Sequence, residues 1–138
     1  MNVYTSTIEI YLEKNNDIKD ITNLVEKEVN SANIKNGIVN IFSIGSTASI
    51  TTIEYERGVV SDLKKAIYRI APDNIPYDHD LAWHDGNGHS HVQAAILGPS
   101  LTVPIRNGKL LLGTWQQIVI INHDIRSRNR KIALTIIG

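Results

Sequence analysis

The chain has 138 residues, with 14 Lys and Arg against 14 Asp and Glu, five His and no Cys. That length suits one domain able to bury about two thirds of its unfolded surface. The missing cysteines exclude a disulfide framework, a zinc ribbon, an iron–sulfur cluster and a thiol nucleophile. A formal charge of zero gives no electrostatic footprint for nucleic acid. No apolar run approaches the ~20 residues of a membrane span. Met1 to Leu12 alternates polar and apolar residues and lacks the basic start of a signal peptide. The expectation is a soluble cytoplasmic protein with no nucleic-acid or membrane partner.

In chain order, Val3 to Leu12 reads as a strand with Ile8, Ile10 and Leu12 on one face. A helix is predicted from Asp17 or Asp20 to about Ala32, because Ile21, Leu24, Val25 and Val29 recur at helical spacing. Asn36-Gly37 is a turn signal. Ile38 to Ile44 and Ala48 to Tyr55 read as strands, rich in Ile, Val and Thr. Gly58 to Ile70 predicts an amphipathic helix with Val59, Leu63, Ala66, Ile67 and Ile70 on its stripe, stopped by Pro72. Pro72 to Gly88 has no periodicity and reads as a long functional loop. A short helix is expected over His89 to Leu97, then a strand over Leu101 to Arg106 and a hairpin turn at Asn107-Gly108. Lys109 to Asn122 reads as one long strand, bulged at Gly113, and Arg130 to Ile137 as the last. Two clear helices with six or seven strands and late hairpins favour an α+β fold over regular βαβ alternation.

The zero charge is a sum of opposite patches. Asp73 to His91 holds four acids (Asp73, Asp78, Asp80 and Asp85), no Lys or Arg, and four of the five His. Asp124 to the end holds one acid against Arg126, Arg128, Arg130 and Lys131. Imidazole is the commonest ligand for zinc and similar metals. With no Cys, any metal site is limited to His, carboxylate and water, which suits Mg²⁺, Mn²⁺ or a catalytic Zn²⁺. His79, His89 and His91 are the candidate ligands. His89 and His91 would share a metal in an extended segment, whereas a helix would separate them by roughly 200°. Solvated loop histidines are the alternative, and His84 and His123 are given that structural reading.

Arg126, Arg128 and Arg130 would share one face of a strand, where planar forks of donors suit phosphate or carboxylate. The alternative is a charged edge strand that blocks aggregation. Gly45 to Ser49 is a run of small residues in which Ser46 and Thr47 can donate to an anion, or a plain strand crossover. Glu54 and Glu56 would share one side of a strand, with Glu54 a candidate base or ligand. Thr114, Trp115, Gln116 and Gln117, set within apolar sequence, point to a pocket floor or a subunit interface.

Taken together, Ser46-Thr-Ala-Ser49 followed by Glu54, Tyr77-Asp-His79-Asp80, Asn87 to His91, Leu97-Gly-Pro-Ser100, Pro104, Gly108-Lys-Leu110, Gly113-Thr-Trp-Gln116, Arg128 and Arg130 resemble the YjbQ-like family. Asp85-Gly-Asn-Gly-His-Ser-His91 looks like its archaeal-type branch. The resemblance implies an α+β homotrimer with a pocket able to hold a divalent metal, Mg or Zn, and a small-molecule substrate. His79 and His91 match the family's pocket histidines and are expected, with Glu54, to be catalytic. Trp115, Gln116 and Arg130 match its polar lining; with Ser46, Thr47, Asn87 and Arg128 they are the expected substrate-binding residues. Many members have His-Thr-Ser-Ala where this chain has Gly45-Ser46-Thr47-Ala48, so His89 is the candidate replacement imidazole. Some members carry the label secondary thiamine-phosphate synthase. On that reading, metal and arginine stabilise a departing pyrophosphate while a thiazole nitrogen attacks a pyrimidine carbon. A metal-dependent hydrolase and a non-enzymatic trimeric binding protein are the alternatives.

Overall fold

The computed structural model describes residues Met1–Gly138. It contains eight strands, β1 (Val3–Leu12), β2 (Asp17–Asp20), β3 (Gly37–Ile44), β4 (Ala48–Ile53), β5 (Ser100–Arg106), β6 (Lys109–Leu110), β7 (Gln117–Asn122) and β8 (Arg128–Ile137). Four helices complete it: α1 (Thr22–Ala32), α2 (Arg57–Ile70), α3 (Asp78–Trp83) and α4 (Gly88–Leu97). One sheet has the order β1-β8-β3-β5-β6 and the other β2-β7-β4, with every pairing antiparallel. This is a single α+β domain.

The residue pattern explains the layering. Along β1, exposure alternates with burial, so only one face of the five-stranded sheet is covered. In β7, Ile118, Val119, Ile120 and Ile121 are all fully buried, because the three-stranded sheet is covered on both sides. Ile118, Ile120 and Ile50 face the larger sheet through Leu12, Val39, Ile41, Val103, Ile132, Leu134 and Ile136. Val119, Ile121 and Ile18 face the other way, onto Ile67, Val60 and Leu63 of α2 and Leu97 of α4. Each such isoleucine contributes about 1.5–3 kcal/mol by leaving water, and the β7 run is the central plank of both cores.

Several expectations are corrected. Asp17 to Asp20 is a strand paired with β7 rather than the first turn of a helix. Asp20 instead accepts hydrogen bonds from the Thr22 backbone N (2.9 Å) and Thr22 Oγ1 (2.6 Å), which fixes where α1 begins. β4 ends at Ile53, so Glu54 and Glu56 do not share a strand side. Glu56 is the N-cap of α2, accepting from the backbone N–H groups of Gly58 and Val59, where a carboxylate meets the positive end of the helix. Lys109 to Asn122 is not one bulged strand, because the chain leaves the large sheet at Leu110, turns, and enters the small sheet at Gln117. The supposed loop from Pro72 to Gly88 carries the helix α3.

Candidate metal and anion centre

Two polar clusters flank α4. The first is built by α3 and the turn that follows it. The Tyr77 hydroxyl donates to the Pro72 carbonyl (2.6 Å) and holds the approach to α3. His84 ends that helix in the left-handed conformation, and Asn87 N donates to Asp85 Oδ1 (3.1 Å). Gly88 N donates to Asp80 Oδ1 (2.9 Å), which joins α3 to the start of α4. A side chain at Gly88 would meet Tyr77 Cβ at 2.6 Å, so the two helices approach this closely only because that position has none.

In this arrangement His79 Nδ1 lies 3.4 Å from Asp85 Oδ1 and 3.6 Å from Asp80 Oδ1. One ligand atom from each of the three residues falls within 4.8 Å of the others. Ligands about 2 Å from a shared cation stand roughly 3–4 Å apart, so the spacing fits. His79 Nδ1 is buried and makes no hydrogen bond, as expected of a nitrogen kept for a cation or a proton. One imidazole and two carboxylates form an oxygen-rich set suited to Mg²⁺ or Mn²⁺ and acceptable to Zn²⁺. The ring of His91 stands against that of His79, with centroids 4.5 Å apart.

His89 and His91 lie on a helix, not an extended segment, and they diverge. His91 faces the cation group, while His89 is buried on another side of α4. The group of convergent ligand atoms includes His79 with Asp80 and Asp85, and neither His89 nor His91. The signal for the two aspartates was present in the acidic residues interleaved with His79 and His84.

The second cluster lies where the end of β7 and the start of β8 meet the turn between β3 and β4. Arg130 is 7% exposed, and its Nη2 donates to the Thr47 carbonyl (3.1 Å), Thr47 Oγ1 (2.7 Å) and Asn122 Oδ1 (2.5 Å). Asp124 accepts from Thr47 Oγ1 (2.9 Å) and the Arg126 N–H (2.9 Å), and it pairs with Arg128 (3.2 Å). Burial pushes the Asp124 carboxyl up, but the Arg126 N–H, Thr47, Arg128 and Asn87 outweigh it and hold it below the usual range. Asn87 Oδ1 accepts from the Ile125 N–H (3.4 Å), so the Arg-bearing segment does meet the end of the His-rich one. The three arginines do not form one row. Arg126 precedes β8, Arg128 is engaged by Asp124, and Arg130 points into the interior.

His123 is fully buried among these groups. Its Nε2 lies 2.7 Å from Ser49 Oγ, and its Nδ1 lies 2.5 Å from Asn16 Oδ1 and 3.2 Å from Gln93 Oε1. Burial first, then Arg130 and His89, push its pKa down to about 3. The structural reading of His123 is what the geometry supports, although it lies at the end of a strand inside the domain and not in a surface turn.

Other candidates stand elsewhere. Glu54 is exposed just past β4 and Ser46 is exposed in the turn before it, whereas Thr47 is buried. Trp115 is 71% exposed, on the turn between β6 and β7. Gln116 Nε2 donates to Thr52 Oγ1 (3.1 Å) and its Oε1 accepts from Gly113 N (3.0 Å), which ties that turn to β4. Gln116 lines a cavity of about 320 Å³ between β4 and β5, with Thr52 and Leu111. Within one chain this is separate from the His79 group.

A family model described as "UPF0047 protein YjbQ-like" matches residues 6–138. The chain belongs to the UPF0047, YjbQ-like family. It is 37% identical over 138 residues to a UPF0047 protein of Methanothermobacter thermautotrophicus, covering 100% of this chain and 94% of that one. A second UPF0047 protein, from Archaeoglobus fulgidus, is 36% identical over 108 residues, covering 78% and 82% of the two chains. The crystal structure of a YbjQ-like protein of unknown function from Sulfolobus solfataricus superposes with a TM-score of 0.94 at 36% identity, over 99% of this chain and 98% of that one. A hypothetical protein from Aeropyrum pernix K1 gives 0.91 at 28% identity over 98% of each. The UPF0047 match contains every residue of both clusters.

Proposed function

We propose that this protein is a small-molecule enzyme that binds a divalent cation at His79, Asp80 and Asp85 and acts on a phosphorylated substrate. The convergence of those three ligand atoms beside an orphaned, buried His79 Nδ1 carries the reading. A cation there supplies charge stabilisation to phosphoryl or pyrophosphate oxygens. His91, against the His79 ring, is placed to move a proton at the edge of the same group. Asn87, on the turn between the two clusters, orients the substrate together with Thr47 and the arginines at the start of β8. Glu54, Trp115 and Gln116 join the site only from a neighbouring subunit or in a closed state, whereas Ser46 lines a cavity with His91 in the same chain.

The reaction favoured by the family resemblance is transferase chemistry of the thiamine-phosphate synthase type. The second reading is a hydrolase, supported by the ready place for a bound water among two carboxylates and an imidazole. We also propose assembly as a homotrimer, supported by the uncovered outer face of the five-stranded sheet, where Val3, Ile38, Phe42 and Ile44 are exposed.

Two measurements test the catalytic reading. Protein purified without an affinity tag should bind one Mn²⁺ or Mg²⁺ per chain and lose it in His79→Ala and Asp85→Ala. It should also form thiamine phosphate from its two precursors, or release phosphate from a monoester, in a chelator-sensitive way. Cation binding without any turnover would leave only the binding-protein alternative.

A further inference from the structure

Trp83 is 71% exposed, although large aromatic side chains are highly buried on average. It is the last residue of α3, and the ring pairs of the fold, Tyr77 with His89 and His79 with His91, leave both of its faces free. Its position on the helix explains why an indole stands there. Trp83 follows Asp80 by three residues and His79 by four, so it falls between them on the helix surface, about 60° from the one and about 40° from the other. Side chains at these spacings are neighbours, with Cβ atoms about 5–6 Å apart. Helical side chains also lean toward the N-terminus, so the indole lies over the turn that carries these two ligands.

The third ligand returns from beyond it. His84 ends the helix in the left-handed conformation, its N–H on the Asp80 carbonyl (2.8 Å). That reversal brings Asp85 Oδ1 to 3.4 Å from His79 Nδ1. Trp83 thus lies within the stretch that supplies all three ligand atoms. Leu81 is equally exposed (72%), but at about 160° from Trp83 it stands on the far side of α3. Two carboxylates repel a bare phosphate, so a phosphate reaches the group through a cation that both share. Whatever that phosphate carries then meets the open indole face, and a flat aromatic ring covers such a face best.

We propose that Trp83 is a stacking platform for an aromatic ring on the substrate, whose phosphate is held by the cation at His79, Asp80 and Asp85. This rests on the proposed cation site and narrows its substrate class from phosphate esters in general to those bearing an aryl or heteroaryl ring. Trp83 selects the ring and takes no part in proton transfer.

Calorimetric titration of the Mn²⁺-loaded full chain tests this, with benzylphosphonate and ethylphosphonate as non-hydrolysable probes of matched charge. Benzylphosphonate should bind about tenfold tighter. Trp83→Leu should remove that difference while leaving the affinities for Mn²⁺ and ethylphosphonate, and the melting temperature, unchanged. Trp83→Phe should keep most of the difference, because it keeps a flat face. Leu81→Ala, the control for general surface apolarity, should keep all of it. Equal binding of the two probes by the wild type, as when a second copy covers Trp83, overturns the proposal, and so does a difference that survives Trp83→Leu. In both cases intact Mn²⁺ binding leaves the cation site standing. A wild type that binds no Mn²⁺ removes the cation site and this proposal together.

Discussion

His123 Nε2 lies 2.7 Å from Ser49 Oγ, and both residues are buried at the junction of β7 and β4. The opposite ring nitrogen faces only carbonyl oxygens, those of Asn16 and Gln93. Nδ1 therefore carries the proton and donates, while Nε2 accepts from the serine hydroxyl. The imidazole is neutral, and no carboxylate contacts it to offset a second proton.

Acid sensitivity follows from that neutrality. Burial, Arg130 and His89 hold the folded pKa at about 3, against about 6.5 in the unfolded chain. The unfolded state takes up this proton first, so stability is complete above about pH 6.5 and falls by about 1.4 kcal/mol per pH unit down to the folded pKa. Urea unfolding should thus give about 2 kcal/mol less stability at pH 5 than at pH 7.5 from this residue alone. His123→Gln should be less stable at pH 7.5 but much flatter between the two pH values. A wild-type stability constant over that range would remove the argument.

Asp124 behaves in the opposite chemical sense but with the same direction in pH. Its carboxyl is held below its ordinary value, so its contribution is present above about pH 4 and is lost as acid protonates it. Removing the charge by Asp124→Ala leaves Arg130 buried without its nearest anion and frees Thr47 Oγ1 and Arg128. A loss of about 1.5–3 kcal/mol is expected at pH 7, the range for hydrogen bonds to a charged group, because the ion-pair partner Arg128 is itself exposed. Thermal melts would check it, and a change below 1 kcal/mol would show that the arginine relaxes to solvent.

Most of the sheet was legible in the residues. Alternation in Val3 to Leu12 and the unbroken Ile118 to Ile121 run gave one-sided and two-sided burial respectively. What escaped was set by tertiary packing. The β2 strand is only four residues long, and its Ile18 is indistinguishable by spacing from a first helical turn. The break between β6 and β7 depends on which sheet each half pairs with, a long-range choice that Gly113 alone does not encode. At the site, the expected helix over His89 to Leu97 already implied that His89 and His91 diverge, as they do on α4, whereas the convergence of Asp80 and Asp85 on His79 depends on how α3 folds back on its own turn. The Asn122-His123-Asp124 cluster was hidden because polar residues after an apolar strand read as a surface turn.

The outer face of the large sheet carries a prediction about assembly. Ile38 pairs with Ile137 and Pro104, and Phe42 with Ala133 and Ser100, so the centre of this face is a patch of apolar and small side chains. Ile44 and Phe42 are 51% and 41% exposed, and no helix covers them. Such patches mark interaction surfaces. Light scattering should give a trimer for the wild type. Phe42→Lys combined with Ile44→Lys should shift it to monomer without unfolding it, because neither residue belongs to the core. A wild-type monomer at all concentrations would refute the assembly, whereas an unchanged trimer in the double variant would place the interface elsewhere.

Gly88 links packing to the candidate metal centre. A methyl group there would meet Tyr77 Cβ at 2.6 Å and Cγ at 3.0 Å, and Tyr77 cannot swing freely while its hydroxyl holds the Pro72 carbonyl. The strain is relieved by pushing α3 away from α4, which breaks the hydrogen bond from Gly88 N to Asp80 and moves His79 from His91. Overpacking of this kind costs about 1–3 kcal/mol. The two main cores lie elsewhere, in the sheets and on α2, so Gly88→Ala should remain folded. Its stabilisation by Mn²⁺ should nevertheless drop sharply. For the wild type, a cation at 100 times its dissociation constant should add about 2.7 kcal/mol. Melting curves with and without Mn²⁺ measure both effects at once. Full Mn²⁺ stabilisation in Gly88→Ala would mean that the cation group does not depend on the close seating of α3 on α4.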